Sequence, residues 1–235
     1  MEIPALADLL DLQEVDLQID RLLERRQSLP ELTAYREANQ RRQAAESARD
    51  EVAGRHKQVS LELDKAEGEL DILESKLNES ETRLYAGGMS SRETEHKRLE
   101  VTSLRGQQSA MEERVLALLD RRELLETELA TAEQAVETAL AEEKELESTI
   151  AQLWKEIDLE LGRRESRKAE IVPSIPGDLL DLYDTLRKTK EGVAVGRFDH
   201  GACGGCHLAL SAPEQSEAKE YDPPRCTHCR RILVF

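Results

Sequence analysis

Val59-Ser-Leu-Glu-Leu63-Asp-Lys-Ala66-Glu-Gly-Glu-Leu70-Asp-Ile-Leu73-Glu-Ser-Lys-Leu77 repeats an apolar residue at alternating steps of four and three. Traced back to Tyr35 and on to Leu84, the same steps run through Ala38, Arg42, Ala45, Arg49, Val52, His56 and, after Leu77, Ser80 without a slip. A second series begins at Lys97 and continues through Val101, Leu104, Gln108, Met111, Val115, Leu118, Arg122, Leu125, Leu129, Ala132, Val136, Ala139, Glu143, Leu146, Ile150, Leu153 and Ile157. A sustained period of 3.5 is the mark of a coiled coil rather than of a helix laid on a globular core. Between the two series, Ala86-Gly-Gly-Met-Ser90-Ser-Arg-Glu93 supplies two helix-ending glycines and a Ser/Glu capping-box spacing, so the chain is expected to turn back there.

Composition agrees. Of 235 residues, 35% are charged and 3% aromatic, with a formal net charge of −16, which disfavours one large core and favours long helices packed along a narrow seam. No apolar run reaches bilayer length, and Met1-Glu-Ile-Pro-Ala-Leu-Ala-Asp8 lacks the basic and apolar regions of a signal peptide. A cytoplasmic location is the expectation. The acidic balance repels nucleic acid and anionic lipid, so any phosphate binding must come from a local patch.

The segment from Ile3 to Ser28 has its own rhythm in Leu12, Val15, Ile19, Leu22 and Leu29 before Pro30 interrupts it. Folding the chain about position 88 leaves the outgoing helix longer than its partner, and this first helix is the right length to cover the excess, including Leu153 and Ile157. The reading is one antiparallel hairpin over 1–172, kinked near Pro30, with its tip near Gly87-Gly88 and arms of about 110 to 120 Å at 1.5 Å per residue. A first helix folded back into a three-helix base is the alternative. Arg42, Arg49, His56, Gln108, Arg122 and Glu143 occupy seam positions; they are expected, His56 included, to lay their stems along the groove and send their charges to water, the alternative being that they fix register or leave a stretch open to a partner.

Residues 173–196 form a connection. Pro173 and Pro176 precede a short amphipathic helix with Leu179, Leu180, Tyr183 and Leu186, and Val193-Ala-Val195 reads as a strand after Gly192. Residues 197–235 then carry Cys203, Cys206, Cys226 and Cys229, two Cys-x-x-Cys pairs nineteen residues apart. Two such knuckles supply four thiolates to one tetrahedral zinc and leave no coordination position for substrate, so the site is expected to be structural. Four unrelated thiols or two disulfides form the competing reading, and disulfides need an oxidising compartment. A module of about forty residues cannot hold itself by apolar burial, so folding and Zn2+ binding should be linked. Ser211 with Glu214 can cap a small helix within the loop, and Ile232 to Phe235 reads as the closing strand.

Arg225, His228, Arg230 and Arg231 crowd the second knuckle and are candidate contacts for a protein partner or nucleic acid; the competing reading is a solvated basic tip. His207 and His228 are weak rivals as ligands beside four thiolates. The sequence shows no phosphate-binding glycine loop and no nucleophile beside a base, so no catalytic residue is assigned and no enzyme is expected.

The chain resembles a bacterial family of C4-type zinc ribbon domain-containing proteins. The likeness lies in Leu9-Leu10-Asp-Leu12-Gln-Glu-Val15-Asp16, Leu29-Pro30, Leu84-Tyr85-Ala-Gly-Gly, Leu179-Leu-Asp-Leu-Tyr183, Cys203-Gly-Gly-Cys206 and Cys226-Thr-His-Cys229-Arg-Arg-Ile232-Leu233. Arg230 departs from it, since the family usually has glycine after the last cysteine. The resemblance implies a mainly α fold, a coiled-coil hairpin with a small β-rich zinc ribbon, acting as an adaptor or chaperone-like interaction protein. It also implies partners related to transcription, because some relatives are linked to an alternative sigma factor and to RNA in flagellar regulation. The unbroken heptads together with a closed metal site make a non-enzymatic protein-interaction module that works through its coiled coil, with no membrane and no small-molecule substrate, the first expectation. A nucleic-acid-binding ribbon is the second.

Overall fold

The structure, a computed structural model, describes residues 3–235, with side chains from Leu6 onward; Met1 and Glu2, part of the stretch read for a signal peptide, lie outside the described residues. The elements in order are α1 (Ile3–Gln27), α2 (Pro30–Tyr85), α3 (Ser91–Ile171), a 3-10 turn (Val172–Ser174), α4 (Gly177–Thr189), β1 (Val195–Asp199), β2 (Ala202–Cys203), α5 (Ala212–Glu220) and β3 (Ile232–Val234). The fold is a long helical hairpin with a small C-terminal sheet. Two compact units emerge, Ala34–Glu147 and Met1–Thr33 with Ser148–Phe235. Among the described residues no helix is long and apolar enough to cross a membrane.

In the unit Ala34–Glu147, α2 and α3 run antiparallel with Ala38, Val59, Leu63, Ala66, Leu77, Val101, Val115 and Leu125 buried between them. All eight belong to the two 3-4 series. The turn follows its chemistry: Gly87 and Gly88 take φ of 79° and 87°, and the Ser90 backbone N–H and hydroxyl both donate to Glu93 Oε2. Those hydrogen bonds hold the Glu93 carboxyl below the usual range.

Two details of the seam differ from expectation. Folding about position 88 would set Asn39 opposite position 137, whereas Asn39 Nδ2 donates to Glu143. Every Cβ tilts toward its own helix N-terminus, so side chains of α2 lean away from the tip and those of α3 lean toward it; at about one residue per helix this supplies about two positions of that offset. Second, Arg42 and Glu143 do not send their charges to water. Arg42 Nε donates to Glu143 Oε2 at 2.6 Å, Asn39 holds the other oxygen, and Glu143 is 8% exposed. Hydrogen bonds from Asn39 and Arg42 outweigh burial and hold the Glu143 carboxyl low, so it stays ionised in the seam. Arg55 with Glu128 and Arg105 with Glu81 bridge the helices farther along.

The second unit is built on α1, which lies antiparallel to the C-terminal part of α3. Leu29, Ile157 and Leu161 form one cluster between them, joined by Leu22 and Leu153. The α1 helix stops before Pro30, where the Trp154 indole N–H donates to the Arg26 carbonyl and Arg26 Nε reaches Asp158 at 3.2 Å. An otherwise orphaned carbonyl at the helix end is thereby satisfied. Against α1 and α3 sits α4, with Leu179, Tyr183 and Leu186 buried as its pattern predicts. These residues, Leu6, Leu9, Leu12, Val15, Ile171 and Ile175 share one core with Ala194, Val195 and Ile232.

At its centre is Asp16, 1% exposed. Its carboxylate accepts from Lys168 Nζ at 2.7 Å and from the Tyr183 hydroxyl at 2.8 Å, and Arg187 Nη1 lies 3.6 Å away. Three helices meet at one carboxylate. Burial, then the bond to Asp16, raises the Tyr183 hydroxyl well above the ordinary tyrosine range.

The sheet has the order β2-β1-β3. β1 and β3 are parallel, pairing Val195 with Ile232 and Gly196 with Leu233, and β1 and β2 are antiparallel, pairing Phe198 with Cys203. The strand expected at Val193 begins instead at Val195, because Gly192 (φ 84°) lies within a turn that the Val193 N–H closes by donating to the Lys190 carbonyl. The expected closing strand is found at Ile232–Val234, and α5 opens with the expected Ser211–Glu214 box.

Candidate metal centre

Both cysteine pairs are shaped by the same backbone. The His207 N–H donates to the Cys203 carbonyl at 2.7 Å, and the Arg230 N–H donates to the Cys226 carbonyl at 2.9 Å, closing a tight turn around each pair. The residue after each second cysteine takes a left-handed conformation, φ 61° at His207 and 63° at Arg230. Glycine adopts that region freely and a side chain does not, which gives the departure at Arg230 its physical meaning. Arg230 is held there by Tyr221: its guanidinium lies 5.6 Å from the ring centroid and donates to the hydroxyl at 3.2 Å.

Glycines let the first knuckle approach the sheet. The Gly204 N–H donates to the Arg197 carbonyl at 2.8 Å. A Cβ on Gly204 would meet that oxygen at 2.7 Å, and one on Gly196 would lie 2.7 Å from Gly205 N and 3.2 Å from Cys203 Sγ. The second knuckle is held by the Cys226 N–H donating to the Arg231 carbonyl and the Leu233 N–H donating to the Pro224 carbonyl.

The four thiols converge. Cys203, Cys206, Cys226 and Cys229 are free, and their Sγ atoms all lie within 4.8 Å of one another. Across the knuckles, Cys203 to Cys229 and Cys206 to Cys226 are each 3.9 Å. Four sulfurs around an ion at about 2.3 Å stand about 3.8 Å apart, so spacing and donor set both fit a metal ion. Cys203 and Cys226 are fully buried beside Leu210, Ala218 and Leu233, while Cys206 and Cys229 are half-buried. The Gly205 N–H points at Cys203 Sγ from 3.4 Å.

Burial pushes the Cys203 and Cys226 thiols up. At Cys229 burial acts the same way but is outweighed by the Arg231 backbone and side chain and by the Cys206 and Cys226 thiols, so this thiol falls below the ordinary range. One corner of the site thus favours the thiolate that a metal requires.

The basic residues nearby differ in exposure and partners. Arg231 turns inward: its Nε donates to the Val193 carbonyl at 2.7 Å and an Nη to the Lys190 carbonyl at 3.3 Å. His228, at the surface, lies 3.3 Å from Glu214, and Arg225 is half-buried with its backbone bridged to Ile232. His207 is exposed and outside the sulfur cluster.

Sequence reading did not single out Gln13. Its Oε1 accepts from the Ala194 and Val195 N–H groups at 2.6 and 2.7 Å, and its Nε2 donates to the Val195 carbonyl at 2.9 Å. A signal was present, since Gln13 and Asp16 share the helix face of Leu9 and Leu12, and a polar residue on a buried stripe must find a partner.

The Chlamydia trachomatis protein CT398 has a solved structure that aligns with a TM-score of 0.69 at 20% identity, covering 98% of this chain and 97% of that one. A solved structure from Mycobacterium smegmatis aligns with a TM-score of 0.84 at 21% identity, covering 99% and 98%. An uncharacterized protein of Mycobacterium tuberculosis is 23% identical over 229 residues, 96% of this chain and 93% of that protein. These likenesses concern the fold. The model of one family, the CT398-like coiled coil hairpin domain, matches residues 12–191, and the chain belongs to that family.

Proposed function

We propose that this protein is a non-enzymatic adaptor or chaperone-like interaction module, of the C4 zinc ribbon type, in which Cys203, Cys206, Cys226 and Cys229 hold a structural Zn2+. The convergence of four sulfurs at spacings suited to a tetrahedral ion carries the reading. Four thiolates fill the coordination shell, so the ion stabilises the fold and has no open position for a reacting molecule. The hairpin supports the interaction role, because its seam is satisfied within the chain while Leu61, Ile72, Leu99, Leu116 and Leu124 remain exposed on its outer faces. Metal analysis of the purified protein should find zinc at one ion per chain, released when Cys226 and Cys229 become serine. Crosslinked capture from the source cells should return the same small set of proteins, lost when Ala34–Glu147 is replaced by a short linker. Recovery of no reproducible partner would sink the adaptor role.

A nucleic-acid-binding ribbon is the second reading, favoured by the exposed Arg230 stacked on Tyr221. It ranks lower because Arg231 serves the interior. It requires binding that weakens with salt and falls in Arg225→Ala and Arg230→Ala variants. Affinity indifferent to both would remove it.

A further inference from the structure

The ladder of β1 and β3 has a separate core on each side. Side chains alternate across a strand, so Val195 and Ile232 enter the cluster of Leu9, Leu12 and Tyr183, while Phe198 and Leu233 enter the cluster of Cys203, Cys226, Leu210 and Ala218. The two sides are held by different means. On the helical side the Gln13 amide accepts from the Ala194 and Val195 N–H groups and donates to the Val195 carbonyl. The Ile232 N–H donates to the Ala194 carbonyl at 3.0 Å, and Arg231 fastens the turn at Lys190 and Val193. None of these bonds involves a cysteine side chain.

On the other side, residues 200–230 bury little apolar surface besides the cysteines themselves, namely Leu210, Ala218 and Pro223. Ordering a segment of about thirty residues costs far more than three such side chains return, so its order must come from the sulfur cluster.

We propose that the C-terminal module comes apart along its sheet. Withdrawal of the metal melts 200–230 and bares Phe198 and Leu233, while α1, α4, β1 and β3 stay folded as a permanent wall on the helical base. The inference rests on the zinc reading of the four cysteines. It makes exposure of that sheet face depend on metal loading, with Gln13 as the residue that keeps β1 in place in both states.

Hydrogen exchange with mass spectrometry on the full chain tests this. Three samples are compared: the purified protein with its zinc content measured, the same protein after chelation, and the Cys226→Ser/Cys229→Ser variant. In the last two, peptides within 200–230 should lose protection at the earliest time point, together with the Leu233 amide bonded to Pro224, while those covering 6–20 and 177–198, and the Ile232 amide bonded to Ala194, keep theirs. Joint loss across all these peptides, or unchanged protection of 200–230 once zinc has left, overturns the proposal. Protein that purifies without zinc defeats the metal reading and this inference with it, whereas zinc present and uniform loss defeats this inference alone. In zinc-loaded Gln13→Ala, the Ala194 and Val195 amides should exchange faster with zinc content unchanged; unchanged exchange there removes the role given to Gln13.

Discussion

Single atoms decide two positions in the C-terminal unit. A methyl group on Gly196 would sit 2.7 Å from the backbone of Gly205, which cannot retreat without opening the first knuckle. Gly196→Ala should therefore cost about 2 kcal/mol, as overpacked sites do, and should hasten zinc loss to a chelator; an unchanged melting curve and unchanged release would refute the close approach. Asp16 is the other. Asp16→Ala leaves Lys168 without its buried counter-ion and the Tyr183 hydroxyl without its acceptor, while Arg187 keeps Asp20, and denaturant unfolding should show a loss of about 3 kcal/mol, the low end for a broken buried pair because Lys168 keeps partial access to water. The same node sets a pH response. In the unfolded chain a tyrosine ionises near about pH 10, whereas Tyr183 in the fold stays protonated well above that. Its stabilising contribution is thus complete below about pH 10 and declines above it. Tyr183→Phe should show a shallower alkaline loss, and identical slopes in the two proteins would contradict the assignment.

Among the helices, the 3-4 rhythm forecasts which residues meet and the charges forecast how firmly. Arg42 and Glu143 each look like flaws in an apolar seam when read alone, yet they lie opposite one another and share a hydrogen bond, with Asn39 completing the group. Polar seam groups of this kind fix register at a cost in stability. Leucine at both positions is expected to raise the melting temperature while loosening the pairing, detectable as added oligomers in light scattering after size exclusion. A lower melting temperature with one unchanged species would show that the pair is needed for stability itself. Capping chemistry was legible at this scale: Ser90 with Glu93 and Ser211 with Glu214 have a local spacing, and both boxes form. The start of β1 was less legible, because its first partner is a side chain from α1 far away in sequence.

For the whole chain, the helices and the cysteine cluster draw on different sources of stability. Helical seams bury leucine, valine and alanine with no help from a metal, whereas the segment around the sulfurs has too little apolar surface of its own. Chelation should consequently leave most of the helical circular dichroism intact. Loss of most of that signal on chelation would mean that the helices depend on the ion.

What the residues alone determined was whatever depends on local spacing: two heptad series and the turn between them, two capping boxes, and two pairs of cysteines able to reach one point. Such features are periodic or lie within a few residues of one another, so geometry follows from order in the chain. Tertiary structure alone decided the side-chain offset that pairs Asn39 with Glu143, the inward turn of Arg231, and the union of α1, α4 and β1 around Gln13 and Asp16. Each joins groups distant in sequence, and a buried polar atom must find a partner without its sequence saying which one.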